Sequence, residues 1–190
     1  MAPAERRAQL VRCAVGVFAA NGFGNAGHAQ VAEAAGVSTP TVFLYLPNRQ
    51  ALVDAVLDVV EEYFLRMIAH VIATERGAAA RLRGIVHAYA EGIDRDPDYV
   101  QVFLCWGAVT HTESWPRYVA FQDRVLAVFE NVIRDGITEG EVSAGTDPVL
   151  GAHLVAGAAT MIAQMKRRRR SPAQVDAFID ALVQGALVER

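Results

Sequence analysis

Glycine and proline divide this chain into helix-length blocks, and this punctuation is what most constrains its fold. Within the blocks, apolar residues recur at three- and four-residue steps, which is the period of an α-helix. No stretch alternates apolar and polar residues between hairpin turns, as the strands of a half-buried sheet do. The pattern therefore predicts an all-α protein of about nine helices.

The ends of the predicted helices follow from local start and stop signals. Asn21-Gly22 closes the first helix, and three later helices begin where an Asp or Ser precedes a proline, at Asp96, Asp147 and Ser171. The predicted spans are 4–20, 29–35, a short helix that ends before Pro47, a long helix from Asn48, and then 78–94, 97–111, 115–138, 147–166 and 172–188.

Charge separates the N-terminal part of the chain from the remainder. The whole chain carries a net charge of −3, so it has no overall attraction for nucleic acid or anionic lipid. Residues 1–50 carry +2, which leaves −5 for residues 51–190. We therefore expect a domain that faces a polyanion at 1–50 and a second helical domain at 51–190.

Motifs for catalysis, cofactors, metals and membrane insertion lack their required context. Gly22–Gly27 matches GxGxxG but follows a helix rather than a strand, and phosphate-loop, hydrolase-elbow and zinc-protease patterns do not occur. The apolar stretch 148–165 precedes the basic run 166–170, yet its small residues favour close helix–helix contact over lipid. We expect no enzyme, cofactor, metal or membrane association, and a cytoplasmic location.

Residues 29–46 have the spacing of a helix-turn-helix. Ala32 and Ala35 are small where two helices would cross, and Gly36 would relieve the tight turn between them. The following short helix fits the major groove of DNA, where Thr39 and Thr41 would face base edges or phosphates.

The order and spacing of residues in the first 55 positions are more specific than the helix-turn-helix pattern alone. The residues are Phe18, Gly22-Phe23, Val31-Ala32, Ala35-Gly36-Val37-Ser38, Thr41-Val42-Phe43, Tyr45-Leu46 and Asn48-Arg49-Gln50-Ala51-Leu52. This set resembles the N-terminal signature of the tetracycline-repressor (TetR) family. The resemblance implies a DNA-binding surface made of His28, Ser38, Thr39, Pro40, Thr41, Phe43, Leu44, Tyr45 and Arg49.

The resemblance also assigns roles within that surface, and two positions depart from the family pattern. Ser38 would cap the recognition helix, and His28 and Arg49 would contact phosphates near helix N-termini. The usual Thr or Ser before the second helix is missing at Ala26-Gly27, unless Asn25 replaces it, and Phe43 stands where the family usually has Tyr. The recognition helix has no basic residue, so the salt dependence of DNA binding should be modest.

In this family the C-terminal helical domain encloses a ligand cavity. The resemblance implies a largely apolar effector bound by Phe64, Met67, Tyr89, Phe103, Trp106, Thr110, Phe121 and His153, although the same residues could simply form the core. The last two helices would pair with those of a second copy through Gly151, Leu154, Ala158, Met161, Leu182 and Leu187.

The sequence thus predicts a ligand-responsive transcriptional regulator, by default a repressor, that binds a palindromic operator as a dimer. A two-fold dimer would present two recognition helices about one turn of DNA apart. Two alternatives stay open. One is a helical enzyme or small-molecule carrier that does not bind DNA, and the other is a protein-interaction module that uses Trp106 and Trp115 as anchors.

Overall fold

The computed structural model describes residues 2–187, and within that range it contains nine α-helices and no β-strand. The predicted all-α class is confirmed. The helices are α1 Pro3–Asn25, α2 His28–Ala35, α3 Thr39–Tyr45, α4 Arg49–Thr74, α5 Ala78–Arg95, α6 Pro97–Gly107, α7 Trp115–Thr138, α8 Pro148–Arg167 and α9 Pro172–Ala186.

The predicted helix starts after residues 96, 147 and 171 are confirmed, and polar side chains cap two of them. The Asp147 carboxylate accepts from the backbone N–H groups of Val149 and Leu150. Ser171 and Gln174 form the predicted capping box. These caps satisfy N–H groups that have no partner within the helix, and each therefore fixes where its helix begins.

Two predicted helix ends differ from the structure. Gly22, with φ 69° and ψ 173°, kinks α1 instead of ending it, and the helix continues to Asn25. This backbone conformation is accessible to glycine because it lacks a Cβ. At the other difference, α6 ends at Gly107 instead of residue 111.

The first compact unit contains the described residues up to Phe64 together with Asp96–Trp115. In this unit α1 packs against α2 and α6, and α2 packs against α3. Gly16 permits the close contact between α1 and α6, because a Cβ there would lie 3.3 Å from the Asp98 Oδ2. The first compact unit therefore extends beyond residue 50 and includes α6. The predicted domains, 1–50 for DNA binding and 51–190 for ligand binding and dimerisation, describe function instead of packing and stay a prediction.

The second compact unit contains Leu65–Arg95 and the described residues from Pro116 onward. Its helices α5, α8 and α9 pack against one another. At Gly151, on α8, a Cβ would come within 2.6 Å of the Ala186 carbonyl oxygen on α9. Arg83 of α5 forms an ion pair with Asp180 of α9 at 2.7 Å.

Among the described helices, α8 is the one that is long and apolar enough to span a membrane by length and composition. A third of its most apolar 18-residue window is buried within the protein itself. Core helices of soluble proteins share this length and composition. The packing of α8 against α5 and α9 accounts for the apolar character of its inner side.

Candidate DNA-binding site

The turn between α2 and α3 has the geometry that the sequence predicts for a helix-turn-helix. Gly36 has a left-handed conformation, φ 65° and ψ 35°, and the N–H of Val37 donates to the Ala32 carbonyl oxygen at 3.0 Å. Ala32 is buried and Val42 of α3 is completely buried. The small side chain at 32 and the glycine at 36 thus allow the two helices to meet at a tight turn.

Ser38 caps α3, as predicted. Its hydroxyl oxygen accepts from the backbone N–H of Thr41 at 3.4 Å and lies 2.8 Å from the Thr41 Oγ1. The Thr41 hydroxyl therefore already has a partner at the start of the helix. Thr39 and Tyr45 are half-buried.

The outward side of α3 is formed by Pro40, Phe43 and Leu44, and we call these three residues the reading face. Pro40 is exposed, Phe43 is 45% exposed and Leu44 is 77% exposed. Their side chains carry no charge and no hydrogen-bond donor. The reading face is therefore suited to shape and apolar contacts, and not to hydrogen-bonded recognition.

His28, which the resemblance assigns to a phosphate contact, has other partners in the structure. Its ring is buried, its Nε2 is 2.7 Å from the Leu46 carbonyl oxygen, and it stacks on Phe43 with the ring centroids 4.0 Å apart and an interplanar angle of 5°. His28 thus connects the start of α2 to the end of α3. The structure gives it a role in positioning α3.

Arg49, the other expected phosphate contact, is exposed but engaged within the first unit. Its guanidinium donates to the Ala26 carbonyl oxygen at 2.7 Å and to the Phe23 carbonyl oxygen. Both carbonyls lie at the C-terminal end of α1, where a cation is favoured because carbonyl groups there lack helical partners. Arg49 therefore fixes the start of α4 against the end of α1.

The start of α2 has no side-chain cap, in agreement with the sequence analysis. Gly27 occupies the N-cap position and makes no side-chain hydrogen bond. Asn25, the suggested substitute, donates its side-chain amide to the Asn21 carbonyl oxygen at 3.5 Å. The position of α2 thus depends on packing and on the His28 contacts more than on a local cap.

The predicted ligand-binding residues are divided between the two units. In the first unit, Phe64 and Phe103 pack with ring centroids 4.8 Å apart. Trp106 is completely buried, and its indole N–H donates to the Ser114 carbonyl oxygen at 3.1 Å. Thr110 is exposed, so its hydroxyl does not line an enclosed cavity within this unit.

In the second unit, Tyr89 and Phe121 are buried and Met67 is half-buried. Burial raises the pKa of the Tyr89 hydroxyl, and the charge of Arg167 opposes this shift in part. A neutral phenol at an apolar site can form hydrogen bonds to a ligand without the cost of a buried charge. His153 is exposed on α8 and bonds through Nδ1 to the Val149 carbonyl oxygen, so it does not line an enclosed cavity in this unit.

The predicted dimer residues fall on both sides of α8. Gly151 and Ala158 are buried within the chain, and the proposed interface must therefore exclude them. Leu154 and Met161 are 42% and 48% exposed. On or near α9, Leu182 and Leu187 are half-buried.

Other outward residues of α8 were not among the predicted dimer residues. Leu150 is exposed and Gly157 has open space beyond its Cα. Together with Leu154 and Met161 they follow steps of four, three and four residues, which place them in one row along the helix. We call these four residues the α8 row. The sequence shows helical spacing for the α8 row and also for the buried Gly151 and Ala158. Spacing alone therefore does not indicate which of the two rows faces outward.

The geometry of the first unit, with a tight turn and an exposed second helix, defines a helix-turn-helix protein. Residues 10–56 match the family model for bacterial regulatory proteins of the tetR family. Residues 75–164 match the model for the tetracyclin repressor-like C-terminal domain. The chain belongs to the TetR family of transcriptional regulators. Members of this family are DNA-binding transcription factors and not enzymes.

Similar proteins support the same assignment. The HTH-type transcriptional regulator LuxR of Vibrio harveyi is 33% identical over 186 residues, which are 96% of this chain and 91% of that protein. The transcriptional regulator FadR from Bacillus subtilis, solved in complex with stearoyl-CoA, shares the fold with a TM-score of 0.77 at 18% identity, over 95% of this chain and 97% of that one. A cysteine variant of the TetR-family regulator CifR, solved with a 26-base-pair operator, has a TM-score of 0.77 at 20% identity, over 94% of this chain and 95% of that one.

Proposed function

We propose that this chain is a repressor that binds a palindromic operator as a homodimer in the cytoplasm and is released from DNA by a small, largely apolar molecule. The observation that carries the proposal is the reading face. It lies on the second helix of a helix-turn-helix, and Leu44 is 77% exposed there. A large apolar side chain that is exposed in the free protein at that position would be buried against DNA in the complex.

The α8 row supports the proposal of a dimer. Leu154 and Met161 remain about half exposed although the opposite side of α8 is packed against α5 and α9. One helix-turn-helix covers one half-site, and a two-fold pair of subunits would cover a palindrome. We propose that the α8 row and Leu182 of α9 pack against their counterparts in the second copy.

An effector site in the second unit is the remaining part of the proposal. Tyr89 and Phe121 are buried aromatic side chains, and the positive charge of Arg167 acts on the Tyr89 hydroxyl. The FadR relative with this fold was solved with stearoyl-CoA. These observations favour an apolar effector that carries one polar or anionic group.

The proposed switch requires that the effector distinguish the free protein from the DNA-bound one. The helix α4 starts at Arg49, whose guanidinium is bonded to the end of α1, and continues into the second unit. A shift of α4 would therefore move the end of α1 that Arg49 contacts. By linkage, an effector that weakens operator binding must bind the free protein more tightly than the complex.

Two experiments test this function. Selection of bound fragments from random genomic DNA, followed by a footprint, should yield a two-fold symmetric site, and the absence of any enriched sequence would contradict it. With that operator, calorimetric titration of stearoyl-CoA, with CoA as the control, should show tighter binding to the free dimer. Equal affinity with and without operator would contradict the switch, and increased transcription from a promoter carrying the site would contradict repression.

A further inference from the structure

The reading face contains the most exposed large apolar side chain in the described part of the chain. Leu44 is 77% exposed, more than Phe43 at 45% or Met161 at 48%. Pro40 lies one helical turn before Leu44 and is also exposed, so the two side chains share one side of α3. The short helix is fixed in place by the Ser38 cap and by buried Val42.

The chemistry of this face limits what it can recognise on DNA. Specific recognition of guanine or adenine commonly uses two hydrogen bonds from Arg, Lys, Asn or Gln, and α3 contains none of these residues. The hydroxyl of Thr41 already bonds with Ser38. In the major groove, the base-edge group that matches an apolar side chain is the C5-methyl group of thymine.

Phe43 is less suited than Leu44 to make that contact. One face of its ring is stacked on the buried His28, at a centroid distance of 4.0 Å. Leu44 is not held by a stacking contact of this kind, and 77% of its surface is exposed. The side chain that can reach a base edge without disturbing the packing of α3 is therefore Leu44.

We propose that Leu44, with Pro40 beside it, determines operator specificity by packing against a thymine methyl group in each half-site. This inference rests on the proposed DNA-binding function and adds the base chemistry that the helix selects. It predicts that the bound half-site contains thymine at the position facing the middle of α3. It also predicts that the methyl group, and not the hydrogen-bonding groups of that base, provides the discrimination.

Replacement of thymine by deoxyuridine tests this directly, because it removes the methyl group and leaves base pairing unchanged. The duplexes carry the operator obtained by genomic selection. In each duplex, deoxyuridine replaces thymine at one position, in both half-sites together, and the replaced position differs from duplex to duplex. One buried methyl group accounts for about a fourfold change in affinity, so substitution in both half-sites should weaken binding about fifteenfold. A cytosine at the same position should bind weakly, and 5-methylcytosine should restore most of the affinity.

Variants of Leu44 assign the effect to this side chain. Because the side chain is exposed, Leu44→Ala should fold with an unchanged melting temperature, and it should bind the thymine and deoxyuridine duplexes with nearly equal affinity. Leu44→Met, which keeps an apolar side chain of similar length, should retain most of the methyl dependence. Wild type and Leu44→Ala, each measured with the thymine and the deoxyuridine duplex, form a double-mutant cycle.

The outcomes separate this inference from the proposed function. Sequence-specific binding without any methyl-dependent position would overturn the role of Leu44 and leave the regulator function intact. A methyl effect of the same size in wild type and Leu44→Ala would also overturn it, since DNA shape or another residue would then be responsible. A failure of the genomic selection to enrich any sequence would overturn both.

Discussion

Replacement of His28 by alanine distinguishes a residue that positions the recognition helix from one that contacts phosphate. In the structure the buried ring bonds to the Leu46 carbonyl oxygen at 2.7 Å and stacks on Phe43. His28→Ala leaves that carbonyl without this partner, which costs about 1–3 kcal/mol, and removes a ring contact worth about 0.5–1.5 kcal/mol. We therefore expect the free energy of unfolding to fall by about 2–4 kcal/mol.

Thermal unfolding, followed by circular dichroism, measures this loss. For a chain of this size each kcal/mol lowers the melting temperature by about 2–4 °C, so the variant should melt about 4–16 °C below wild type. A cycle that combines His28→Ala with Phe43→Leu should show a coupling of about 0.5–1.5 kcal/mol, because the stacked pair is lost only once. Gln30→Ala is a suitable control, since this residue is exposed on the same helix.

The salt dependence of operator binding provides the second readout. Loss of a cationic phosphate contact lowers the slope of log affinity against log salt by about 0.9 per subunit, whereas a destabilised helix lowers affinity at every salt concentration alike. We expect the second behaviour at temperatures where the variant remains folded. An unchanged melting temperature together with a reduced salt slope would refute the positioning role and restore the phosphate contact that the sequence suggested.

Three further predictions concern the second unit. In a denaturant titration, Gly151→Ala should lower the free energy of unfolding by about 1–3 kcal/mol, because its Cβ would meet the backbone of α9. The control Gly24→Ala, at a position with open space around it, should be neutral or stabilising. In analytical ultracentrifugation, Leu154→Arg should shift the population toward monomer. The control Ala79→Arg, at an exposed position on α5, should not. Equal monomer fractions for the two variants would contradict the proposed interface. Burial raises the pKa of the Tyr89 hydroxyl, so its contribution to stability is complete below about pH 10, the pKa of an unfolded tyrosine, and is lost as the pH rises further. Tyr89→Phe should therefore lose less stability than wild type between about pH 10 and pH 11.5. Parallel curves of stability against pH for the two proteins would contradict this.

The helix-turn-helix could be predicted from the sequence because its determinants are local. Gly36 is required for the left-handed turn, Ser38 for the cap of α3, and a small residue at Ala32 for the helix contact, and all three are confirmed. The proline-marked starts of α6, α8 and α9 are confirmed for the same reason. Each of these features depends on atoms within about one helical turn of the residue concerned.

The roles of His28 and Arg49 could not be predicted in this way. The partners of His28 lie 15 and 18 residues away, at Phe43 and Leu46, and those of Arg49 lie at the end of α1. The spacing of the sequence correctly placed both residues at helix starts. It did not show that other parts of the chain would occupy their polar groups.

The sequence by itself determined the helical class, the marked helix starts and the position of the helix-turn-helix, because hydrogen-bonded caps, glycine conformations and apolar periodicity are short-range properties. Tertiary structure decided which side of α8 faces inward, at Gly151, and which remains exposed, at Leu154. It also decided that α6 packs within the first unit. The physical reason is that an apolar row can be buried by its own chain or by a partner, and only packing over long sequence distances selects between the two.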